Sequence, residues 1–391
     1  MSLLPFKYLR LRRVLALALL VTLSSTLFST TAFTLVGYYR GFNIYLGEGE
    51  DIVAVYDRGS RTPFTGIVPA YLTEAVSRLD GVVAVSPEVI IPCATRGQPA
   101  FLRGIVPDNF LKLNPLTILD GRMFGEQDLN SAIVGVRLAK KLNIKLGDKV
   151  LVTGVLVDAC LELKVEGIFY SNSPADDEIV APLHVGQWLR GLDYNQVTLI
   201  RAKVDRRLVS KTSIYEAIAR EALEPTQPSG GGRKPSQPTI VPWTRISFHA
   251  EDIGVEEAQR FMEGYMERYG VTRESIITLS TIIFLLSSTT IAFSTRTLIV
   301  QQERELEVLR SIGSSKKLLK KDMIIKLLPI TLASSIAGIA ATIVFLNTII
   351  GRGYLQILSH TLTFQPDPTV IALTIIFSIA LVTASVLKQK L

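Results

Sequence analysis

The chain has 391 residues, of which 48% are hydrophobic and 20% charged, and it carries a formal net charge of +7. Four runs, 14–39, 275–295, 327–351 and 368–387, contain no Asp, Glu, Lys, Arg or His, and each can cross a hydrocarbon core of about 30 Å as a helix. That excludes a simple soluble protein, a disordered chain and a small disulfide scaffold.

The positive charge marks topology rather than a nucleic-acid surface. Segment 1–13 carries Lys7, Arg10, Arg12 and Arg13; segment 296–326 holds eight Lys/Arg against four Asp/Glu; the tail adds Lys388 and Lys390. Lys and Arg near span ends mark the cytoplasmic side, and with four spans these three segments fall on one side. No outer stretch interleaves basic and aromatic residues as a nucleic-acid platform would. The predicted organisation is a cytoplasmic N-terminus (1–13), span 14–36, an extracytoplasmic domain (37–274), span 275–296, a cytoplasmic elbow (297–326), span 327–350, a short outer loop (351–367), span 368–387 and a cytoplasmic tail (388–391). The fold class is thus membrane α-helical, one plus three spans, with a large α+β extracytoplasmic domain, and the location is a cell membrane with both termini cytoplasmic. The first span reads as an uncleaved anchor rather than a signal peptide. Its charge-free run extends to Tyr39, and Tyr38 and Tyr39 suit an interfacial belt.

Along the outer domain, Asp51–Asp57 alternates like a strand and Pro69–Asp80 reads as a helix. Val82–Val85 and Val89–Ile91 are strand-like, separated by Pro87. Gln196–Val204 is a strand, Lys211–Leu223 a helix and Ile240–Val241 a short strand, so β-α-β occurs twice. This predicts a split βαβ lobe with a β-rich insert at about 95–190. Inside the insert, Lys149–Thr153 and Leu161–Phe169 pair as a hairpin, and Ser131–Leu142 and Pro182–Arg190 are helical. Pro225–Pro238 is a loop by composition, and its glycines lack phosphate-loop spacing. Val255–Tyr269 is a charged helix, interrupted at Gly270 before the second span.

The only two cysteines, Cys93 and Cys160, both fall in the outer domain. An oxidising exterior permits a disulfide between them, and two separate thiols are the alternative. His184, His249 and His360 are scattered without metal spacing, so no metal site, cofactor or catalytic group is expected. Asp176, Asp177 and Glu178 read as a solvated turn. The spans lack ionisable groups, which argues against a proton-coupled carrier or ion pump. They are rich in small residues such as Ser334, Ser335, Ala337 and Gly338, which suit close helix packing.

The cytoplasmic segment Gln301–Lys326 is the most informative. Leu306, Leu309 and Ile312 at i,i+3, with Val308 and Ile312 at i,i+4, make an apolar stripe on a short helix, and Glu307 and Arg310 can pair at i,i+3. Gly313 is placed to end that helix with a left-handed residue, and Ser315 to cap the next. Lys316, Lys317, Lys320 and Lys321 sit near a helix N-terminus, where cations are disfavoured unless anionic lipid compensates. Such an elbow is either a connector or a docking surface.

The run Arg304-Glu305-Leu306-Glu307-Val308-Leu309-Arg310-Ser311-Ile312-Gly313-Ser314-Ser315-Lys316, followed by a span, resembles the signature of FtsX/MacB-type ABC transporter permeases. Glu307 stands where that pattern has a small residue. Gly121-Arg122-x-Phe124, Asp128, Ala132-Ile133-Val134-Gly135, Leu146-Gly147-Asp148 and Asp177-x-Ile179-x-x-Pro182-Leu183 resemble the MacB-like extracytoplasmic core domain. The resemblance implies a dimer of permease subunits, as homo- or heterodimer, working with a separate cytoplasmic ABC ATPase. It places that ATPase on the elbow, with Leu306, Leu309 and Ile312 as docking stripe, Arg304, Glu305 and Arg310 as polar rim, and Gly313 setting the turn. ATP-driven movement would then be relayed to the outer domain, for export or extraction of a lipid, lipoprotein, peptide or amphiphile. A signal transmitter acting on an extracytoplasmic enzyme or sensor partner, without cargo, is the alternative; a plain membrane scaffold is a third. No GxxxxGK[ST] motif occurs in the sequence, so ATP hydrolysis is expected in a partner and this chain is not expected to be an enzyme.

Overall fold

The structure, a computed structural model, describes residues 11–388 apart from 44, 48, 61, 126, 224–247, 269–271, 352–355, 358 and 362–365. In chain order its elements are α1 (Leu11–Asn43), β1 (Ile52–Asp57), β2 (Val68–Pro69), α2 (Leu72–Ser77), β3 (Val82–Thr95), β4 (Gln98–Ile105), α3 (Pro107–Leu113), β5 (Thr117–Gly121), β6 (Ser131–Gly135), α4 (Val136–Leu142), β7 (Lys149–Gly154), β8 (Cys160–Tyr170), β9 (Glu178–Pro182), α5 (Leu183–Arg190), β10 (Gln196–Val197), β11 (Leu199–Val204), α6 (Lys211–Leu223), β12 (Ile253–Glu257), α7 (Ala258–Arg268), α8 (Arg273–Val300), α9 (Glu303–Ser311), α10 (Lys316–Gly351), β13 (Gln356–Ile357), β14 (His360–Thr361) and α11 (Pro368–Lys388). They divide into two units, one holding residues 1–39, 270–355 and 362–391, the other 40–269 and 356–361.

In the first unit, among the described residues, four helices are long and apolar enough to cross a membrane. Side chains too small to keep backbones apart let them approach. A Cβ on Gly338 of α10 would lie 2.7 Å from the Thr22 carbonyl oxygen of α1. Hydroxyls then bond across the gap: Thr22 Oγ1 donates to the Ser334 carbonyl at 3.2 Å, and Ser29 and Thr342 hydroxyls meet at 2.7 Å. Ser25 and Ser378 hydroxyls join α1 to α11 at 3.2 Å. Between helices in lipid, such packing and hydrogen bonding replace the hydrophobic drive available in water.

In the second unit the twofold β-α-β pattern produces β1-α2-β3 and β11-α6-β12, with antiparallel order β12-β1-β11-β3. The fourth strand lies at Ile253–Glu257, at the start of what the sequence suggested was helix; Ile240–Val241 lies outside the described residues. Strand β3 continues through Pro87, because residues 82–88 pair only with β11 and residues 89–95 take up β4 and β7 on the insert side. A missing N–H is tolerated where one strand edge is unpaired. The expected break falls instead at Thr198, between β10 and β11, where the Thr198 hydroxyl donates to the Glu88 carbonyl and accepts from the Ile90 amide. The insert is a closed circuit of pairings, β3-β4-β9-β6-β8-β7 and back to β3. Closure removes the exposed edges that an open sheet would present. The helix expected over Ser131–Leu142 begins only at Val136; Ser131–Gly135, buried throughout, is β6.

The strands that join the two lobes bury an ionic cluster. Glu88 (β3), Arg103 (β4), Glu178 (β9) and Arg201 (β11) are each at most 1% exposed. Arg103 bonds Glu178 through Nε at 2.7 Å and Glu88 through Nη1 at 2.7 Å. Arg201 Nε bonds the other Glu88 oxygen at 2.7 Å, and its Nη1 donates to the Leu46 carbonyl at 2.6 Å. Two cations face two anions, so no charge is left uncompensated. Burial alone would raise the Glu178 carboxyl, but the neighbouring Arg103 and the ring of His360 outweigh it and hold it well below the usual carboxylate range.

Cys93 and Cys160 are not bridged. Cys93 on β3 is opposite Gly154 of β7, while Cys160 on β8 is opposite Thr153 of the same strand. One strand therefore lies between them, putting their Cα atoms about 10 Å apart, beyond the roughly 4.4–6.8 Å a disulfide spans. Cys93 is buried and Cys160 exposed. Burial, with a smaller contribution from Glu178, pushes the Cys93 thiol up to about 12.

These contacts make three predictions. In the folded protein without reductant, iodoacetamide alkylates Cys160 readily and Cys93 only after denaturation; a mass shift showing a bridge would contradict the strand register. Glu88→Ala leaves the buried Arg201 guanidinium without a carboxylate and Arg103 with Glu178 alone, and costs about 3–5 kcal/mol, read as a lowered thermal midpoint of the outer unit. Because Glu178 titrates below its unfolded value, its stabilisation is complete above about pH 4.3 and falls away as the pH drops further. Glu178→Gln therefore flattens the acid limb of the stability curve.

Candidate coupling elbow

The elbow is made by three helix ends. Helix α8 stops at Val300, α9 follows after a two-residue turn, and α10 starts at Lys316. Gly313 lies between α9 and α10 with φ +103°, a conformation that favours glycine. Ser315 accepts a hydrogen bond from the Leu318 amide at 3.3 Å, as an N-cap should. At the far end of α8, Thr272 caps the helix by accepting from the Ser275 amide at 3.0 Å.

The elbow is keyed into the first unit at three points. Arg13 of α1 donates through Nη1 to the Gln301 carbonyl at 2.6 Å, placing a cation at the C-terminus of α8. Leu306 of α9 is buried in a cluster with Leu298, Ile299, Leu319 and Met323. Lys320 of α10 donates through Nζ to the Leu387 carbonyl at 2.6 Å, which caps α11. That bond gives Lys320 a second role beside any attraction to lipid. A turn further on, Asp322 and Lys326 form a buried i,i+4 pair.

The structure splits the expected docking stripe. Leu306 is turned into the bundle, while Ile312 is 78% and Val308 58% exposed. Arg310 and Gly313 are exposed too. The side chains of Arg304, Glu305 and Leu309 lie outside those described. No ion pair joins Glu307 and Arg310 among the described residues. Both are exposed, and such a surface pair is worth little. Val308, an i,i+4 neighbour of Ile312, is the outward apolar residue that the Leu306/Leu309/Ile312 docking stripe left out.

In the outer unit, Asp176, Asp177 and Glu178 do not form a solvated turn; all three are at most 2% exposed. The reason is nearby cations and donors. Arg137 binds Asp177 at 2.9 Å and Asp176 at 3.1 Å, and Ser171 donates to Asp176 through its amide and hydroxyl. Of the three histidines, His184 and His249 are on the surface, with His184 Nε2 2.9 Å from the Leu129 carbonyl. His360, far away in sequence, is 3.0 Å from Glu178. Among the described residues, no group of three His, Cys, Asp or Glu side chains could hold a metal ion. Sequence reasoning missed Glu88, Arg103 and Arg201. The available signal was a charge set against an apolar run in each strand: Glu88 before Val89-Ile90-Ile91, Arg103 after Phe101-Leu102, and Arg201 after Leu199-Ile200.

The chain was compared with known proteins. Residues 14–216 match the family model of the MacB-like periplasmic core domain, and residues 277–387 match that of the FtsX-like permease C-terminal region. Among solved structures, the periplasmic region of MacB from Actinobacillus actinomycetemcomitans is similar at 13% identity and TM-score 0.36, over 55% of this chain and 91% of that one. The extracellular domain of the noncanonic ABC-type transporter YknZ from Gram-positive bacteria is similar at 17% identity and TM-score 0.32, over 44% of this chain and 91% of that one. A permease-protein domain from Porphyromonas gingivalis is similar at 15% identity and TM-score 0.32, over 44% and 82%. Comparison with curated proteins gave no match. With a family model covering more than half of its length and a second covering its last three membrane helices, the chain belongs to the FtsX/MacB-type ABC transporter permeases.

Proposed function

We propose that this permease converts ATP hydrolysis by a separate cytoplasmic ABC ATPase into movement of its extracytoplasmic domain. In this reading the termini and the elbow are cytoplasmic, and two permease copies work together. The ATPase docks on the outward side of α9, where Val308 and Ile312 supply apolar contact and Arg310 part of the polar rim. The observation that carries the reading is the division of labour within α9. Its exposed face is free for a partner, while Leu306 is built into the helix bundle. A push on α9 is therefore passed to its neighbours by packed side chains rather than absorbed by a loose loop.

Two further contacts support it. Arg13 ties the base of α1 to the end of α8, and these are the two helices whose other ends continue into the outer domain. Lys320 ties α10 to α11. The cargo is moved, in this reading, by the outer domain rather than through the span bundle, consistent with the absence of ionisable residues from the four apolar runs. A lipid, lipoprotein, peptide or other amphiphile suits such a route.

The elbow is tested by Val308→Asp and Ile312→Asp. Both side chains are exposed, so the variants insert and keep their thermal midpoint. Recovery of the ATPase with the detergent-solubilised permease falls at least about tenfold, the loss expected of an apolar anchor at an interface. Leu306→Asp behaves differently and lowers the thermal midpoint. Unchanged ATPase recovery with both surface variants would refute docking at this face.

A further inference from the structure

Between α10 and α11 the chain makes a small hairpin, β13–β14, in which Gln356 pairs with Thr361 and Ile357 with His360. Ser359, between the two strands, has φ +67°, a conformation found in tight turns. Although it connects two membrane helices, the hairpin is part of the outer unit. Two side chains hold it there. His360 is 8% exposed, and its Nε2 lies 3.0 Å from Glu178 Oε1. A carboxylate only accepts, so Nε2 carries the proton. The ring is packed between Tyr45 and Phe101, with centroids 5.1 and 5.0 Å away. Thr361 then takes both oxygens of Asp177, its amide donating to Oδ2 at 2.8 Å and its hydroxyl to Oδ1 at 3.0 Å.

The carboxylates used are not free surface groups. Glu178 opens β9 and is already fixed by Arg103 and by the Tyr45 hydroxyl at 2.6 Å. Asp177, one residue earlier, is fixed by Arg137. The hairpin therefore grips the rigid start of a central strand and not a pliable loop.

We infer that the β13–β14 hairpin is a latch through which α10 and α11 act on the outer domain, with His360 and Thr361 as its gripping residues and the Asp177–Glu178 edge of β9 as its seat. The outer domain then has three covalent lines to the membrane: α1, the α7–α8 connection and the hairpin. The α7–α8 connection follows β12, and α1 leads towards β1 while the Tyr45 hydroxyl just after it also reaches Glu178; the hairpin adds His360 and Thr361 to the Asp177–Glu178 start of β9, inside the closed circuit of strands. This inference rests on the proposed ATP-driven movement for its purpose, but the latch can be tested without nucleotide.

The test is hydrogen exchange on the full chain in lipid nanodiscs. In the wild type the Thr361 amide is protected. With His360→Ala and Thr361→Val together it exchanges about tenfold faster, as expected on losing its supporting bonds, while β1 and β11 are unchanged. Thr361→Val alone, a small change in shape, keeps the test decisive if the double variant unfolds. Equal exchange in wild type and variants would overturn the latch. A second arm adds the ATPase with ADP and vanadate. The wild type changes its exchange at β1, β12 and β9, and the variant loses the change at β9 alone. A β9 response that survives the variant, or a wild type that responds at β1 and β12 but never at β9, would overturn the hairpin as a transmitter. No response anywhere in the outer unit would overturn the hairpin as transmitter and the proposed function together, and the nucleotide-free arm would still decide whether the latch exists.

Discussion

The outer domain depends on an ionic cluster that water cannot reach. Glu88, Arg103, Glu178 and Arg201 come from four strands adjacent in the sheet, β3, β4, β9 and β11. Replacing such a set with apolar residues of equal volume is often neutral or stabilising, whereas removing one member is costly. The cluster is therefore better understood as a device that fixes geometry. A guanidinium fork accepts only one arrangement of carboxylate oxygens, so the two lobes can join in one register. The cluster also creates a site: a carboxylate held ionised in the interior is what His360 can bond.

The membrane unit relies on a different interaction. Its helices are held by close approach at Gly338 and by hydroxyl contacts from Ser25, Ser29 and Thr342. At the elbow the connections become charged, with Arg13 and Lys320 bonded to carbonyls at helix ends. These bonds use the exposed carbonyl dipoles that every helix leaves at its C-terminus. Helix α9 is thus held by side chains from the ends of both neighbouring spans.

Much of this was legible in the sequence. The four apolar runs, the twofold β-α-β pattern, the cap at Ser315 and the positive φ at Gly313 each follow from local chemistry. What was not legible depends on distant partners. Thr198, not Pro87, breaks its strand because its hydroxyl meets β3. Asp176–Glu178 looked like a turn because nothing nearby in sequence reveals Arg103 and Arg137. Cys93 and Cys160 could be bridged only if β7 did not lie between them, a matter of strand order. Leu306 and Ile312, six residues apart, point about 120° away from each other around the helix, so the α8 and α10 ends cover one and leave the other exposed. His360 is the clearest case: nothing within a hundred residues of it hints at Glu178.

Strand β3 gives the outer domain a further property. Its first half belongs to the β11 side and its second half to the closed circuit, with Glu88 at the changeover. A slip of one residue along this strand would turn every inward side chain outward. One continuous strand therefore locks both lobes to a single register.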